Sequence, residues 1–170
     1  FHKNSIQGDS ILVKYYEALG VETKFIENKI ILTKIIDFVY PKNLNLNLID
    51  SPDLAQTIAV TCFGLGISCF LYGLQTLNIK ETKRLIALKN ELTKLGANVE
   101  VTESNLKLHK TRVIKKNITI NTYQDHRMAM SFAPLSLKNQ IFIEKPDVVV
   151  KSYPRFWDDL ERAGFIIKPI

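Results

Sequence analysis

A chain of 170 residues, 46 % apolar and 24 % charged, has enough core-forming side chains for one domain and too many to stay disordered. Its mean hydropathy is close to zero, which excludes fibrous and collagen-like classes. The 23 basic residues against 17 acidic give a net charge of +6, favouring anionic partners and leaving nucleic acid, acidic lipid and phosphorylated metabolites open.

In chain order, the first pattern is an amphipathic helix from Ser10 to Leu19, with Leu12, Tyr15 and Leu19 on one face, then Gly20 and the alternating strand VETKFIE. Pro52 and Asp53 open a helix running to Leu65 with almost no charge, which predicts burial on most sides. The strand CFLYGL follows. From Leu54 to Ile79 no residue is charged, a length that could cross a bilayer, but Gln56, Thr57, Gly64, Gly66, Ser68 and Gln75 break it into a buried helix and a buried strand. Cys62 and Cys69 lie inside this run and read as core thiols of a reducing, cytoplasmic protein rather than a disulfide framework.

Thr82 to Leu95 forms the second amphipathic helix, with Leu85, Leu88, Leu92 and Leu95 at helical spacing, Thr82 as a capping residue and Gly96 at its end; the strand ANVEVTE follows. Between Lys107 and Lys116 five Lys or Arg residues and His109 suggest the solvated face of a hairpin, or a nucleic-acid surface without aromatic residues for stacking. A second buried helix runs from Asp125 to Leu137 and leads into IFIEKP. Ser152 to Ala163 repeats the amphipathic helix, with Pro154 in its first turn, then Gly164 and FIIKPI as a strand.

Two patterns therefore recur: buried helix then strand, twice, and amphipathic helix, glycine, strand, three times. The fold class expected is α/β, a pseudo-threefold repeat with the helices inside and sheets outside. The first amphipathic helix has no buried helix before it, and by periodicity its partner would begin about 20 residues before Phe1. If rotation relates the repeats, corresponding helix starts share one rim. That rim carries Gln7, Asp9, Asp53, Lys80, Glu81, Arg84, Asp125, His126, Arg127 and Lys151. Helix N-termini and several cations on one rim point to a phosphate or carboxylate ligand.

Chemistry concentrates in two segments. IKETKRL sets Glu81 between Lys80 and Arg84 in one turn, either as a capping carboxylate with solvated charge pairs or as a proton-transfer group held by cations. TYQDHRMAM puts Asp125, His126 and Arg127 at the mouth of an apolar helix, where three polar groups need a reason to meet. Asp53 reads as a helix cap that can also accept a proton from a bound hydroxyl, and Lys151 as a snorkelling lysine or an anion ligand. The three histidines are too scattered for a metal site, GLG at Gly64 and Gly66 lacks a third glycine, and no phosphate-loop motif is present.

NSIQGD, SPDLAQTIAV, IKETKRLIAL with ELTKLGANVE, NTYQDHRMAMSFAPLSL and VVVKSYPRFWDDL together resemble the EPSP synthases, the 3-phosphoshikimate 1-carboxyvinyltransferases, in that family's order. The resemblance implies the C-terminal domain of a two-domain enolpyruvyl transferase built from βαβαββ-type units, with the N-terminal domain outside this chain. It implies transfer of the carboxyvinyl group of phosphoenolpyruvate to the 5-hydroxyl of shikimate 3-phosphate, in aromatic amino acid biosynthesis, with no metal or organic cofactor and no nucleic-acid or membrane partner. By motif, Asp53 is the base toward the hydroxyl and Glu81 the group that exchanges a proton with the methylene carbon. Arg84, Arg127 and Lys151 hold phosphoenolpyruvate, with His126 supporting the same corner, and Asp125 caps its helix and orients its neighbours. The resemblance also implies that Asp53 and Thr76 face shikimate 3-phosphate and that Lys80 contacts shikimate 3-phosphate or the developing charge. Thr76 stands where some members have an Asn that touches the shikimate ring, and Lys83 replaces an acidic residue common in the family.

The same resemblance implies that these residues form half of a site, so the chain by itself is expected to turn over no substrate. Two alternatives stand beside this: transfer of the same group to a UDP-amino sugar, and a non-catalytic module that binds phosphate or RNA through the basic stretch.

Overall fold

The structure, a computed structural model, describes residues 5–27, 29–79, 82–111 and 113–169. Lys80 and Glu81 thus lie outside the described residues.

One repeat is complete. Strand β3 (Asn43–Asn47) leads through a 3-10 turn at Pro52–Leu54 into α2 (Ala55–Leu65), then β4 (Ser68–Tyr72), α3 (Arg84–Lys94), β5 (Val99–Val101) and β6 (Asn105–Leu108). The strands order as β3-β4-β6-β5: β3 and β4 run parallel with Leu44 opposite Cys69, β6 lies antiparallel to β4, and β5–β6 is a hairpin. Alternation sets the faces. Leu44, Cys69, Leu71, Leu106, Leu108 and Val99 are buried, whereas Asn45, Phe70, Tyr72, Lys107 and Glu100 face solvent.

The other two copies are partial. Before the complete one come a 3-10 turn at Gly8–Ile11, α1 (Leu12–Glu17) and the antiparallel hairpin of β1 (Val21–Ile26) and β2 (Lys29–Lys34), matching the second half of the unit. After it come β7 (Ile118–Ile120), α4 (His126–Phe132), β8 (Ile141–Ile143), which pairs parallel with β7, and α5 (Phe156–Arg162), matching the first four elements of the unit. Gly20, Gly96 and Gly164 follow the three amphipathic helices at φ of 84°, 101° and 96°, so the sequence repeat is also a conformational one. The α/β pseudo-threefold arrangement with central helices stands as expected: α2 packs against α4 and touches α3, the four-stranded sheet lies against α2 and α3, and the β1–β2 sheet lies against α1.

Burial explains the helices. In α2, Ala55, Ile58, Ala59, Cys62 and Phe63 are buried, and in α3 so are Leu85, Leu88 and Leu92, each such leucine contributing about 1.5–3 kcal/mol. Cys62 and Cys69 are free, fully buried thiols in mutual contact, and the hydrogen bond with Cys62, with burial second, pushes the Cys69 thiol far above its usual range.

Several local expectations need correction. Of FIIKPI, the described residues 165–169 form no strand: among the described residues nothing pairs with them, Ile166 is 86 % exposed, and a strand without a neighbour has no ladder to hold it. The helix begun at Asp125 changes to a 3-10 turn at Ala133–Leu137, because Pro134 has no N–H to continue the α ladder. Thr82 does not cap α3, whose N-cap is Lys83 without a side-chain bond. The hairpin lies upstream of the basic stretch, at β5–β6. Past Leu108 the described residues of that stretch are irregular and tied down by Lys115 N–H to Leu95 O at 2.9 Å and Asn139 Nδ2 to Ile114 O at 2.7 Å.

Candidate active site

The starts of α2, α3 and α4 converge on one guanidinium. Arg84, first residue of α3, donates from Nε to Asp125 Oδ2 at 2.6 Å and from Nη1 to Asp53 Oδ1 at 2.6 Å. Arg84 is 2 % exposed and Asp125 fully buried, while Asp53 keeps 28 % of its side chain in solvent. Asp53 sits in the 3-10 turn before α2, next to Pro52 in the first turn, while Leu54 holds the N-cap position of α2; the Asp53 carboxylate faces the cations. Arg127 joins from α4, with Nη1 to Asp53 O at 3.3 Å and Nη2 to Asp53 Oδ2 at 3.5 Å.

Asp125 is the N-cap of α4, accepting the Arg127 N–H at 2.9 Å on Oδ1, so one buried carboxylate both starts the helix and holds Arg84. Bidentate contact is completed by Arg84 Nη2 to Asp125 Oδ1 at 3.5 Å. The cap reading of Asp125 holds; Asp53 is an ion-pair partner instead.

His126 follows the cap with its Nδ1 3.8 Å from Asp125 Oδ1, and that buried nitrogen has no hydrogen-bond partner among the described residues. Burial lowers its pKa below the ordinary 6.5, with Arg127, Lys151 and Arg84 acting in the same direction and Asp125 against it. Lys151 reaches the same corner from the exposed segment before α5, donating to Gln124 O at 3.4 Å. It lines a cavity of about 470 Å³ together with Thr82, Tyr123, Gln124 and Lys145. Thr76 is exposed in the 3-10 turn Gln75–Ile79, which packs against the turn carrying Asp53. Gly8 brings the start of the first helical segment near, as a Cβ there would lie 3.1 Å from Asp50 O.

Asp53, Arg84, Asp125, His126 and Arg127 therefore form one cluster, with Lys151 on its border and Thr76 beside it. Lys80 and Glu81, although they precede Arg84 directly in the chain, fall outside the described residues. Among the described residues no group of three His, Cys, Asp or Glu side chains is placed to hold a metal ion, and no helix is long and apolar enough to cross a membrane.

Two features escaped the sequence. Glu91 is fully buried on α3, accepting from Tyr123 Oη at 2.7 Å, Asn121 N at 3.1 Å and Lys94 Nζ at 2.7 Å. Tyr123 and Gln124 both take left-handed backbone conformations, at φ of 53° and 58°, immediately before Asp125. The available signal was Glu91 itself, three residues after Leu88 and four before Leu95 on a stripe that is otherwise leucine.

Residues 1–160 match the profile of a family described as EPSP synthase (3-phosphoshikimate 1-carboxyvinyltransferase). The chain belongs to the EPSP synthase family. A 3-phosphoshikimate 1-carboxyvinyltransferase from Bacteroides fragilis is 45 % identical over 169 residues, 98 % of this chain and 41 % of that relative. One from Haemophilus influenzae is 34 % identical over 167 residues, 94 % of this chain and 37 % of its own length. The chain thus spans about two fifths of the curated relatives it matches. In shape it resembles the EPSP synthase of Acinetobacter baumannii, with a TM-score of 0.68 and 19 % identity over 89 % of this chain and 38 % of that one, a likeness of fold. The family resemblance carried by the motifs is borne out.

Proposed function

We propose that this chain supplies one side of the site at which an EPSP synthase moves the carboxyvinyl group of phosphoenolpyruvate to the 5-hydroxyl of shikimate 3-phosphate. The single observation that carries it is the Arg84 guanidinium held between Asp53 and Asp125, with Arg127 on the same Asp53 carboxylate. Two arginines already gripping one partly exposed carboxylate are set to exchange it for a substrate anion. As phosphoenolpyruvate engages Arg84, Arg127, Lys151 and the His126 corner, Asp53 is released toward the acceptor.

In the addition step the acceptor oxygen bonds to C2 of phosphoenolpyruvate, its proton passes to Asp53, and C3 takes a proton from Glu81. In the elimination step C3 returns a proton to Glu81, the C2–phosphate oxygen bond breaks, and inorganic phosphate leaves carrying the proton that Asp53 had taken. Lys80 and Thr76 are assigned to shikimate 3-phosphate. No metal or organic cofactor enters either step.

We further propose that the 170 residues are a single, C-terminal domain working with an N-terminal domain, which contributes the rest of both substrate sites. Support comes from the share of the relatives that the chain spans, 41 % and 37 %. A half-site open to water gives no turnover, so the chain alone is inactive. Two buried free thiols suit a reducing cytoplasm.

The experiment is a titration followed by an assay. Phosphoenolpyruvate added to the chain should shift the amide signals of His126, Arg127 and Lys151. The protein carrying both domains should release phosphate only when shikimate 3-phosphate is present, and Glu81→Gln should abolish that release. Phosphate release dependent on UDP-N-acetylglucosamine instead, or steady turnover by the 170-residue chain alone, overturns the proposal.

A further inference from the structure

We infer that Glu91, far down α3 from the ion-pair cluster, is a positioning residue for the anion-binding corner, an inference that rests on the function proposed above. Glu91 is completely buried and its carboxylate is engaged on both oxygens: Tyr123 Oη on Oε1, Asn121 N and Lys94 Nζ on Oε2. A buried ion is tolerable only when its acceptor sites are filled, and two of the three donors here come from the single loop that leads into α4.

That loop does not hold its shape by local preference. Tyr123 and Gln124 are consecutive non-glycine residues in the left-handed region, a conformation that must be imposed from outside. Glu91 is the anchor in reach. Its bond to the Tyr123 hydroxyl fixes the first strained residue, and its bond to the Asn121 N–H fixes the strand end before it. Asp125 N–H closes on Thr122 O at 2.9 Å, so the turn leads into the cap without slack. The Gln124 carbonyl then points at Lys151 Nζ, and Asp125 meets Arg84.

Helix α3 consequently grips the same loop twice, through Arg84 at its start and Glu91 two turns later. Arg84 contacts the cluster itself; Glu91 contacts the loop and, on its own helix, Lys94. Without Glu91 the left-handed pair relaxes, and Lys151, His126 and Arg127 lose their common geometry while the core leucines of α3 stay in place.

The test compares Glu91→Gln, Tyr123→Phe and the double variant by backbone chemical shifts at residues 121–127 and by phosphoenolpyruvate affinity. Gln keeps the shape but turns one acceptor into a donor facing donors, and Phe removes only the hydroxyl. Each single variant should move the Tyr123 and Gln124 shifts away from left-handed values and weaken phosphoenolpyruvate binding about tenfold, with the double variant no worse than the worse single. A purely structural Glu91 would lower the melting temperature and leave both readouts of the folded protein unchanged, which overturns the inference. So does a moved loop with unchanged affinity. If the unsubstituted protein fails to bind phosphoenolpyruvate, the proposed function falls, and the chemical shifts alone decide whether Glu91 sets the loop.

Discussion

Arg84 Nε lies 2.6 Å from Asp125 Oδ2 with both side chains closed off from solvent, joining the first residue of α3 to the N-cap of α4. Two residues 41 positions apart in sequence thereby fix the starts of two helices together, and Asp53 is drawn in by the other edge of the guanidinium.

Breaking that pair from one side strands a buried charge. Asp125→Ala should destabilise the protein by about 3–5 kcal/mol, since it removes the α4 cap as well as the partner of Arg84. Urea unfolding measures it. A loss under about 1 kcal/mol would mean the pair is not buried in solution.

His126 makes stability depend on pH in a definite direction. Its pKa is lowered in the folded state, so the unfolded chain binds a proton more readily; the contribution is full above about pH 6.5 and is lost as pH falls through the depressed folded value. Proton NMR should place its midpoint below 6.5, and His126→Gln should flatten the slope of unfolding free energy between pH 7 and pH 5. Bound phosphoenolpyruvate, by bringing negative charge to the same corner, should raise the midpoint. A midpoint at or above 6.5 without ligand contradicts the burial of this ring.

Anion binding should follow the cluster and ignore the rest of the basic surface. Arg127→Ala is expected to weaken phosphoenolpyruvate binding roughly tenfold to a hundredfold, the range of a lost charge-assisted bond. Lys107→Ala and Lys116→Ala, on the hairpin and the irregular stretch, should leave it unchanged. Equal losses for all three would reduce the site to a diffuse field.

Two glycines with similar backbones should respond differently to a methyl group. Gly73 has φ of 80°, and a Cβ there would lie 2.7 Å from Ile49 N and from Asn47 Oδ1, where the chain after β4 crosses the chain after β3. Gly164 has φ of 96° and open space around it. Gly164→Ala should cost only the backbone term, about 1–2 kcal/mol, and Gly73→Ala clearly more, as read from thermal unfolding.

The repeat was legible because hydrophobic spacing and helix-ending glycines act over a dozen residues. Leu85, Leu88, Leu92 and Leu95 announce a buried helix face whatever surrounds it, and Gly20, Gly96 and Gly164 mark the same stop three times. The same local logic failed at FIIKPI, where alternation promised a strand. Pairing depends on a neighbour, and the residues themselves do not record one.

The site divides along the same line. Sequence alone singled out the candidate side chains for chemistry, because Asp125, His126 and Arg127 at the head of an apolar helix, and Asp53 beside Pro52, are unusual wherever they point. Only the tertiary structure decided their partners: that Asp53 pairs with arginines rather than capping α2, that Arg84 is buried between two carboxylates, and that Glu91 holds the loop bearing Tyr123. Such contacts join residues tens of positions apart. Their geometry is set by how three helices pack, a collective property of all the buried faces that no short stretch of chain encodes.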